Sequence, residues 1–408
     1  MLTIQFGQCG NQVGNKLFST IASDLYSPNT GISIINKICN YDENTSSWAY
    51  SPQNIVCHAG GGSANNWGYG YSVKGPELGT PVLEAVRQEI ERIDSFEGIL
   101  AILSSAGGTG SGVGSYVMEN IRDEFRTKTI ASSIVLPYAS GEVCTQNYNT
   151  LLTLAKFIEV TDLVLMFEND QIHSICQNLI KVQNTNLNDL NEVIGLKLAA
   201  VFQPVFETSN ILSSLTHKIT PHPQYKIAAI RTSPLNTPSL SMNNGGYKWL
   251  PIVRHLKQML RAPLLDLELL DMETKTPSSS TPSRTTFAYS KSVSNMLFTR
   301  GSFVDNDHML ATELTDRKLY TEWVPKSQEI SHLHQPRKLL GKDKLAALVT
   351  NNSLLYRPIN AVVDKAWNSY IHSAFLHQYE QHGVGQDDFL QAFAKIENVV
   401  KVYKELNS

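Results

Sequence analysis

Four glycines stand among the seven residues Ala106 to Gly112, directly after the apolar run ILAIL at Ile99 to Leu103 and directly before a helical pattern that begins at Val113. Glycine backbone turns freely, so Gly107, Gly108, Gly110 and Gly112 are expected to pass through positive φ and let the main chain approach a ligand closely. The helix that follows offers unpaired N–H groups and the positive end of its dipole. The chemistry this predicts is anion binding, with phosphate the natural occupant. Two common phosphate loops are excluded. A Walker loop places Lys and then Ser or Thr after its last glycine, where this chain has Val113 and Gly114, and no choice of glycines here has the third three residues after the second, as a dinucleotide fingerprint requires.

The loop SSAGGTGSG resembles the tubulin signature G-G-G-T-G-S-G, with Ala106 in place of its first glycine. Near the N-terminus, Gln5 to Gly14, QFGQCGNQVG, resembles the first phosphate loop of the same family. Gly61 to Trp67, GGSANNW, is similar to its loop near the terminal phosphate, and Asn169 in FENDQIHSIC and Asn191 in LNDLNEVI match the asparagines that read guanine. Within the family, NNWGYGYSVKGP, DSFEGI, NYNTLLTL, VFQP, PHPQYK and VDKAWNSYIHSAFLHQY resemble the delta branch. The resemblance covers nearly the whole chain. It implies that the cofactor is GTP or GDP, with Gln8 and Cys9 beside phosphates and base and Gln12 close by. It places Asn65 and Asn66 toward the terminal phosphate, and Ala106, Gly107, Gly108, Thr109, Gly110 and Ser111 around the diphosphate, with the Thr109 and Ser111 hydroxyls as added donors. Glu142 of the phrase GEV belongs to the same set. Asn169 and Asn191 suit a purine edge because an amide offers donor and acceptor together.

Some positions depart from the family's pattern. Leu187 stands where polymer-forming members stack an aromatic on guanine, a contact worth about 1–3 kcal/mol per base. The acidic D-x-E-P loop that holds magnesium through water has no counterpart in the short stretch Asp24 to Trp48. In the family, a carboxylate from the next subunit activates water at the terminal phosphate. Counting back from Pro221-His222-Pro223, the equivalent residue here is Ser214, which cannot act as that base, and Glu207 lies out of register. No catalytic residue is therefore assigned.

The frame that must position these loops is large. With 408 residues, 45.3 kDa and 42% hydrophobic residues, the chain has material for two or three packed domains. A formal net charge of −3 with 17% charged residues points to neither nucleic acid nor an anionic membrane. Five cysteines without a C-x-x-C pair argue against a disulfide framework and a zinc ribbon, and suit a reducing cytosol. Cys57-His58, His332 and His334 lack partners at zinc spacing, so structural roles are expected and no metal held by side chains. The opening Met1-Leu2-Thr3-Ile4 shows no secretory address, and no membrane-spanning run appears.

Strand and helix alternate from Ile99 to about Phe202. ILAIL precedes a helix with Val113, Val117, Ile121 and Phe125 at helical spacing. SIVLP at Ser133 to Pro137 precedes one with Leu151, Leu154, Ala155 and Ile158, and LVLMF at Leu163 to Phe167 precedes one with Ile172, Ile175 and Leu179. This pattern predicts an α/β fold with a parallel sheet. Leu187, Leu190, Ile194, Leu198 and Val201 form the apolar stripe of a long helix, which the resemblance makes the central one. The expected division is a nucleotide-binding domain at 1–202, an α+β intermediate domain at 203–344 and a C-terminal helical region at 345–408. The intermediate domain contains strand-like KIAAIR and NMLFTRG and a Pro/Ser-rich stretch, Thr274 to Thr286, read as an exposed mobile loop. The C-terminal region is read as an antiparallel pair, Ala361 to Gln381 with Val362, Ala366, Tyr370, Ala374 and Leu376, and Asp387 to Leu406 with Leu390, Phe393, Ile396, Val400 and Tyr403.

The resemblance implies a guanine-nucleotide-binding cytoskeletal protein of the cytoplasm, centriole or basal body. Its expected partners are other tubulins or centriolar proteins, and its role lies in triplet microtubules and cilium or flagellum assembly. The competing expectation is a tubulin-fold GTPase switch or scaffold that enters no lattice.

Overall fold

A computed structural model describes residues 1–25, 39–42, 47–57, 61–141, 143–203, 210–235, 248–260, 290–302 and 307–407. In chain order the principal elements begin with β1 Leu2–Gln5, α1 Gly7–Leu25, β2 Cys39–Asp42, β3 Ser47–Tyr50, α2 Gly75–Glu91, β4 Gly98–Ser104 and α3 Gly114–Glu124. There follow β5 Thr129–Leu136, α4 Gln146–Val160, β6 Leu163–Glu168, α5 Asn169–Asn178, α6 Leu187–Phe202 and α7 Ile211–Ile219. The remainder is β7 Ile227–Ser233, α8 Trp249–Gln258, β8 Ser292–Gly301, β9 Ile330–Gln335, β10 Lys344–Asn352, α9 Tyr356–Ile371, α10 His377–Glu380 and α11 Gln386–Glu405. Among the described residues no helix is long and apolar enough to cross a membrane.

Two compact units divide the chain, one of Met1–Glu168 with Arg357–Val400, the other of Asn169–Tyr356 with Lys401–Ser408. In the first, β1, β4, β5 and β6 pair in that order, all parallel, in registers such as Leu2↔Ile99, Ile99↔Ile130 and Ala131↔Leu163. Parallel strands covered on both faces read as continuous apolar runs. Accordingly β4 is buried except at Ser104 and β5 except at Thr129. β2 and β3 form a separate antiparallel pair, Cys39↔Tyr50. In the second unit, β10 lies antiparallel between β7 and β8, and β9 runs parallel to β8. All ten residues of β8 are buried. Tyr403 from the end of α11 closes this unit, with its hydroxyl on Asn351 Oδ1 at 3.0 Å and accepting from Ile227 N–H at 2.9 Å.

The helical stripes are buried along most of their length. Val113, Val117 and Ile121 are covered, as are Leu151, Leu154, Ile172, Ile175, Leu190, Ile194, Leu198 and Val201. Phe125, Ile158, Tyr370 and Ala374 are half-buried, and two members of the expected stripes are exposed. Leu187 at the start of α6 is 58% exposed, and Leu390 is 46% exposed while its neighbour Phe389 is buried. The single helix expected from Ala361 to Gln381 is also interrupted. α9 stops at Ile371, Ser373 and Phe375 take φ of 52° and 61°, and helix resumes only for the short α10. Non-glycine residues at positive φ end helical hydrogen bonding, because successive αL turns cannot continue a right-handed helix. The Pro/Ser-rich stretch Thr274 to Thr286 lies outside the described residues.

Candidate phosphate site

Three loops of the first unit meet at the C-terminal ends of β1 and β4. β1 passes into α1 through Phe6 alone, whose N–H donates to Ile102 O at 2.9 Å. β4 leads through Ser105–Gly108 into a π-helical turn, Thr109–Val113, and then α3. The third loop, Gly61–Asn66, enters a short helical turn at Trp67–Tyr69.

The glycines serve a different purpose from the one expected. None of Gly107, Gly108, Gly110 and Gly112 has positive φ, and Gly108 sits at −90°, within reach of any residue. Close backbone approach is what excludes side chains. A Cβ on Gly108 would stand 2.3 Å from Ser63 O and 2.9 Å from Asn66 N, one on Gly112 2.4 Å from Trp67 O, and one on Gly70 2.4 Å from Gly108 O. A Cβ on Gly10 would meet Ile102 O at 2.3 Å, and one on Gly7, which does take a φ of 68°, would meet Gly110 N at 2.9 Å. Three main chains thus lie nearly in van der Waals contact. Gly107 is the exception, since its Cβ position has only Asn65 Oδ1 within reach, at 4.0 Å.

The hydroxyls expected as phosphate donors are engaged within the loops. Ser111 is fully buried and its hydroxyl donates to Gly107 O, while Thr109 Oγ1 accepts Ser63 N–H at 3.2 Å and donates to Ser63 Oγ at 3.3 Å. Asn66 is likewise committed. It caps the short helix by accepting Tyr69 N–H at 3.0 Å and donates Nδ2 to Gln378 O at 3.0 Å. Asn65 is exposed, and it and Ala64 hold αL conformations at φ 53° and 48°. Gln8 and Gln12 are exposed at the start of α1. Cys9 is half-covered there, and desolvation pushes its thiol up to about 12. Glu142 lies outside the described residues.

Asn149 on α4 was not among the residues expected from the sequence. It is fully buried and uses all four capacities of its amide. Nδ2 donates to Asn65 O at 2.7 Å and Ala106 O at 2.8 Å, while Oδ1 accepts Trp67 N–H at 2.9 Å and Tyr379 O–H at 2.7 Å. Two carbonyls on one side and two donors on the other admit a single orientation of the amide. Thr145 Oγ1 adds a second bond to Asn65 O at 3.2 Å. The sequence carries no signal for it beyond the polar residues Asn149, Thr150 and Thr153 of α4, all of which are buried.

None of the three loops contains Lys or Arg. With the side-chain hydroxyls engaged, an anion here would be held by main-chain N–H groups at the starts of α1 and of the Thr109 turn. The Asn65 and Ala106 carbonyls, which would repel an anion, accept hydrogen bonds from Asn149 and Thr145 instead. Among the described residues no group of three or more His, Cys, Asp and Glu is placed to hold a metal ion.

The remaining expected residues belong to the second unit. Asn169 is the first residue of α5 and half-buried, whereas Asn191 is buried at 6% on α6. α6 begins with a capping box in which Asn186 accepts from Asn188 and Asp189 N–H and Asp189 returns the bond to Asn186 N–H at 2.9 Å. Ser214 is half-buried on α7, and Glu207 lies outside the described residues.

Residues 1–177 match the Tubulin/FtsZ family, GTPase domain. Over the full length of both chains, this sequence is 32% identical to the tubulin delta chain of Homo sapiens and 32% identical to that of Macaca fascicularis. It is 23% identical to the tubulin beta-1 chain of Homo sapiens, across 98% of this chain and 93% of that one. The alignment with the human delta chain runs over 458 positions, more than the 408 residues here, so the relative has positions without counterpart in this chain.

Proposed function

The chain belongs to the tubulin family, and from that premise we propose that it is a guanine-nucleotide-binding cytoskeletal protein of the delta type, acting with other tubulins at centrioles or basal bodies. The observation that carries the nucleotide part is the interlock of three loops, with glycines at the crossings and no basic side chain among them. A cradle of main-chain N–H groups suits the delocalised charge of a diphosphate, with each charge-assisted bond contributing about 1.5–3 kcal/mol.

Gly107 to Ser111 and the start of α1 at Gln8, Cys9 and Gln12 would hold the phosphates, with Asn65 toward the terminal one. Assignment of the guanine edge to Asn169 and Asn191 rests on the resemblance of their motifs. A bound triphosphate supplies an anhydride that water can cleave. With Ser214 at the position of the family's activating carboxylate, this chain supplies no general base to a neighbour's nucleotide. Magnesium would have to be held without the acidic loop, which has no counterpart between Asp24 and Trp48.

The test is GTP turnover over a concentration series of the protein alone and mixed with alpha- and beta-type tubulins. Turnover that appears only on mixing supports a cytoskeletal subunit. Turnover by the isolated protein at a rate independent of its concentration would replace this reading with a GTPase switch.

A further inference from the structure

We infer that Tyr379, in the segment between α9 and α11, is a positioning residue for the nucleotide, so that occupancy of the phosphate loops and packing of residues 372–385 are thermodynamically linked. The inference rests on the nucleotide-binding reading above and extends it to residues that reading leaves unused.

Asn149 bridges the two phosphate loops through one planar amide, on Asn65 O and Ala106 O. Together with the direct Thr109–Ser63 bonds, the position of that amide helps to set the spacing of the loops. Tyr379 O–H fixes it from behind at 2.7 Å. Burial raises the Tyr379 phenol above its ordinary range, so it stays a donor at neutral pH. The ring is held edge-on between Tyr148 at 5.6 Å and Phe389 at 5.3 Å.

The rest of the segment is tied to the Gly61–Asn66 loop, to the helical turn that follows it and to α4. Gln378 O accepts from Asn66, Ala374 O accepts from Tyr148 at 3.1 Å, and the His382 ring lies 5.0 Å from that of Tyr69. A Cβ on Gly68 would stand 3.2 Å from Val384. Ser373 and Phe375 hold positive φ on this segment, a conformation that persists only where surrounding contacts over-determine it. A ligand that fixes the spacing of Asn65 and Ala106 thereby fixes Asn149 and stabilises the Tyr379 contact. By linkage, the contact must in turn raise affinity for that ligand.

The experiment uses the full chain, GDP as probe, and the variant Tyr379→Phe, which keeps the ring and removes only the hydroxyl. GDP affinity is measured by isotherm, and amide hydrogen exchange of residues 374–384 is followed with and without saturating GDP. In the unaltered protein GDP slows exchange of this segment. In Tyr379→Phe GDP binds about threefold to tenfold more weakly, and at saturation it no longer slows exchange there. A merely structural role would lower stability without abolishing the GDP-dependent protection. Unchanged affinity in the variant, or protection that persists in it, or exchange in the unaltered protein that is blind to bound GDP, overturns the inference while the nucleotide reading stands. Absence of any GDP binding by the unaltered protein is read directly from the isotherm, and both readings then fall.

Discussion

Replacing Gly108 by alanine places one methyl carbon 2.3 Å from Ser63 O and 2.9 Å from Asn66 N. Backbone atoms cannot rotate away, so the Gly61–Asn66 loop must retreat by roughly 1 Å, an overpacking that costs about 1–3 kcal/mol. The φ of −90° means that none of this cost is conformational. Gly107→Ala is the matched control, since its new carbon meets only Asn65 Oδ1 at 4.0 Å and leaves the unliganded fold alone. Melting is followed with and without GDP at about 100 times its dissociation constant, where a bound ligand contributes about 2.7 kcal/mol. For a unit of about 200 residues that corresponds to a rise of roughly 5–11 °C in the unaltered protein. Gly108→Ala is expected to melt lower without GDP and to lose most of that rise. Gly107→Ala keeps the unliganded melting temperature and loses part of the rise, because its methyl occupies the open face of the loop. A full GDP-dependent rise in Gly108→Ala would show that contact between the loops does not shape the site.

Other outcomes follow from the same arrangement. At pH 8, alkylation mapped by mass spectrometry is expected at the exposed Cys57 and Cys144 and not at Cys9 or Cys176, whose thiols burial pushes up to about 12 and about 11. Because the folded Cys9 value lies above its ordinary 9.0, the stability it contributes is complete below pH 9 and is lost as pH rises toward 12, which denaturant melts across that range would register. Asn191→Leu is expected to erase a preference for guanine over adenine nucleotides in competition binding while the circular dichroism spectrum stays unchanged. Ser214→Glu is expected to gain GTP turnover in mixtures with other tubulins, and no gain would break the register that equates Ser214 with the family's catalytic carboxylate.

The meeting of glycine-rich loops was legible because glycine clustering between a strand and a helix survives any detail of the fold, and the βα alternation survives with it. The reason for the glycines was not legible. Positive φ is a local property, whereas the contacts of Gly108 with Ser63, and of Gly112 with Trp67, join segments more than forty residues apart. Asn149 was hidden for the same reason, since its four partners come from three separate stretches of chain. Periodicity located the helical faces but not where each runs out of cover, so Leu187 and Leu390 read as core and are exposed. The break after Ile371 carries no Gly or Pro, and only Ser373 and Phe375 at positive φ mark it.

The most direct measurement is to release and identify the nucleotide carried by the freshly purified protein, then to titrate the stripped protein with GTP, GDP and ATP. A guanine-nucleotide site should give guanine nucleotide in the extract and rebinding of GTP and GDP well ahead of ATP. An empty extract with no rebinding, or equal affinity for ATP and GTP, would contradict it.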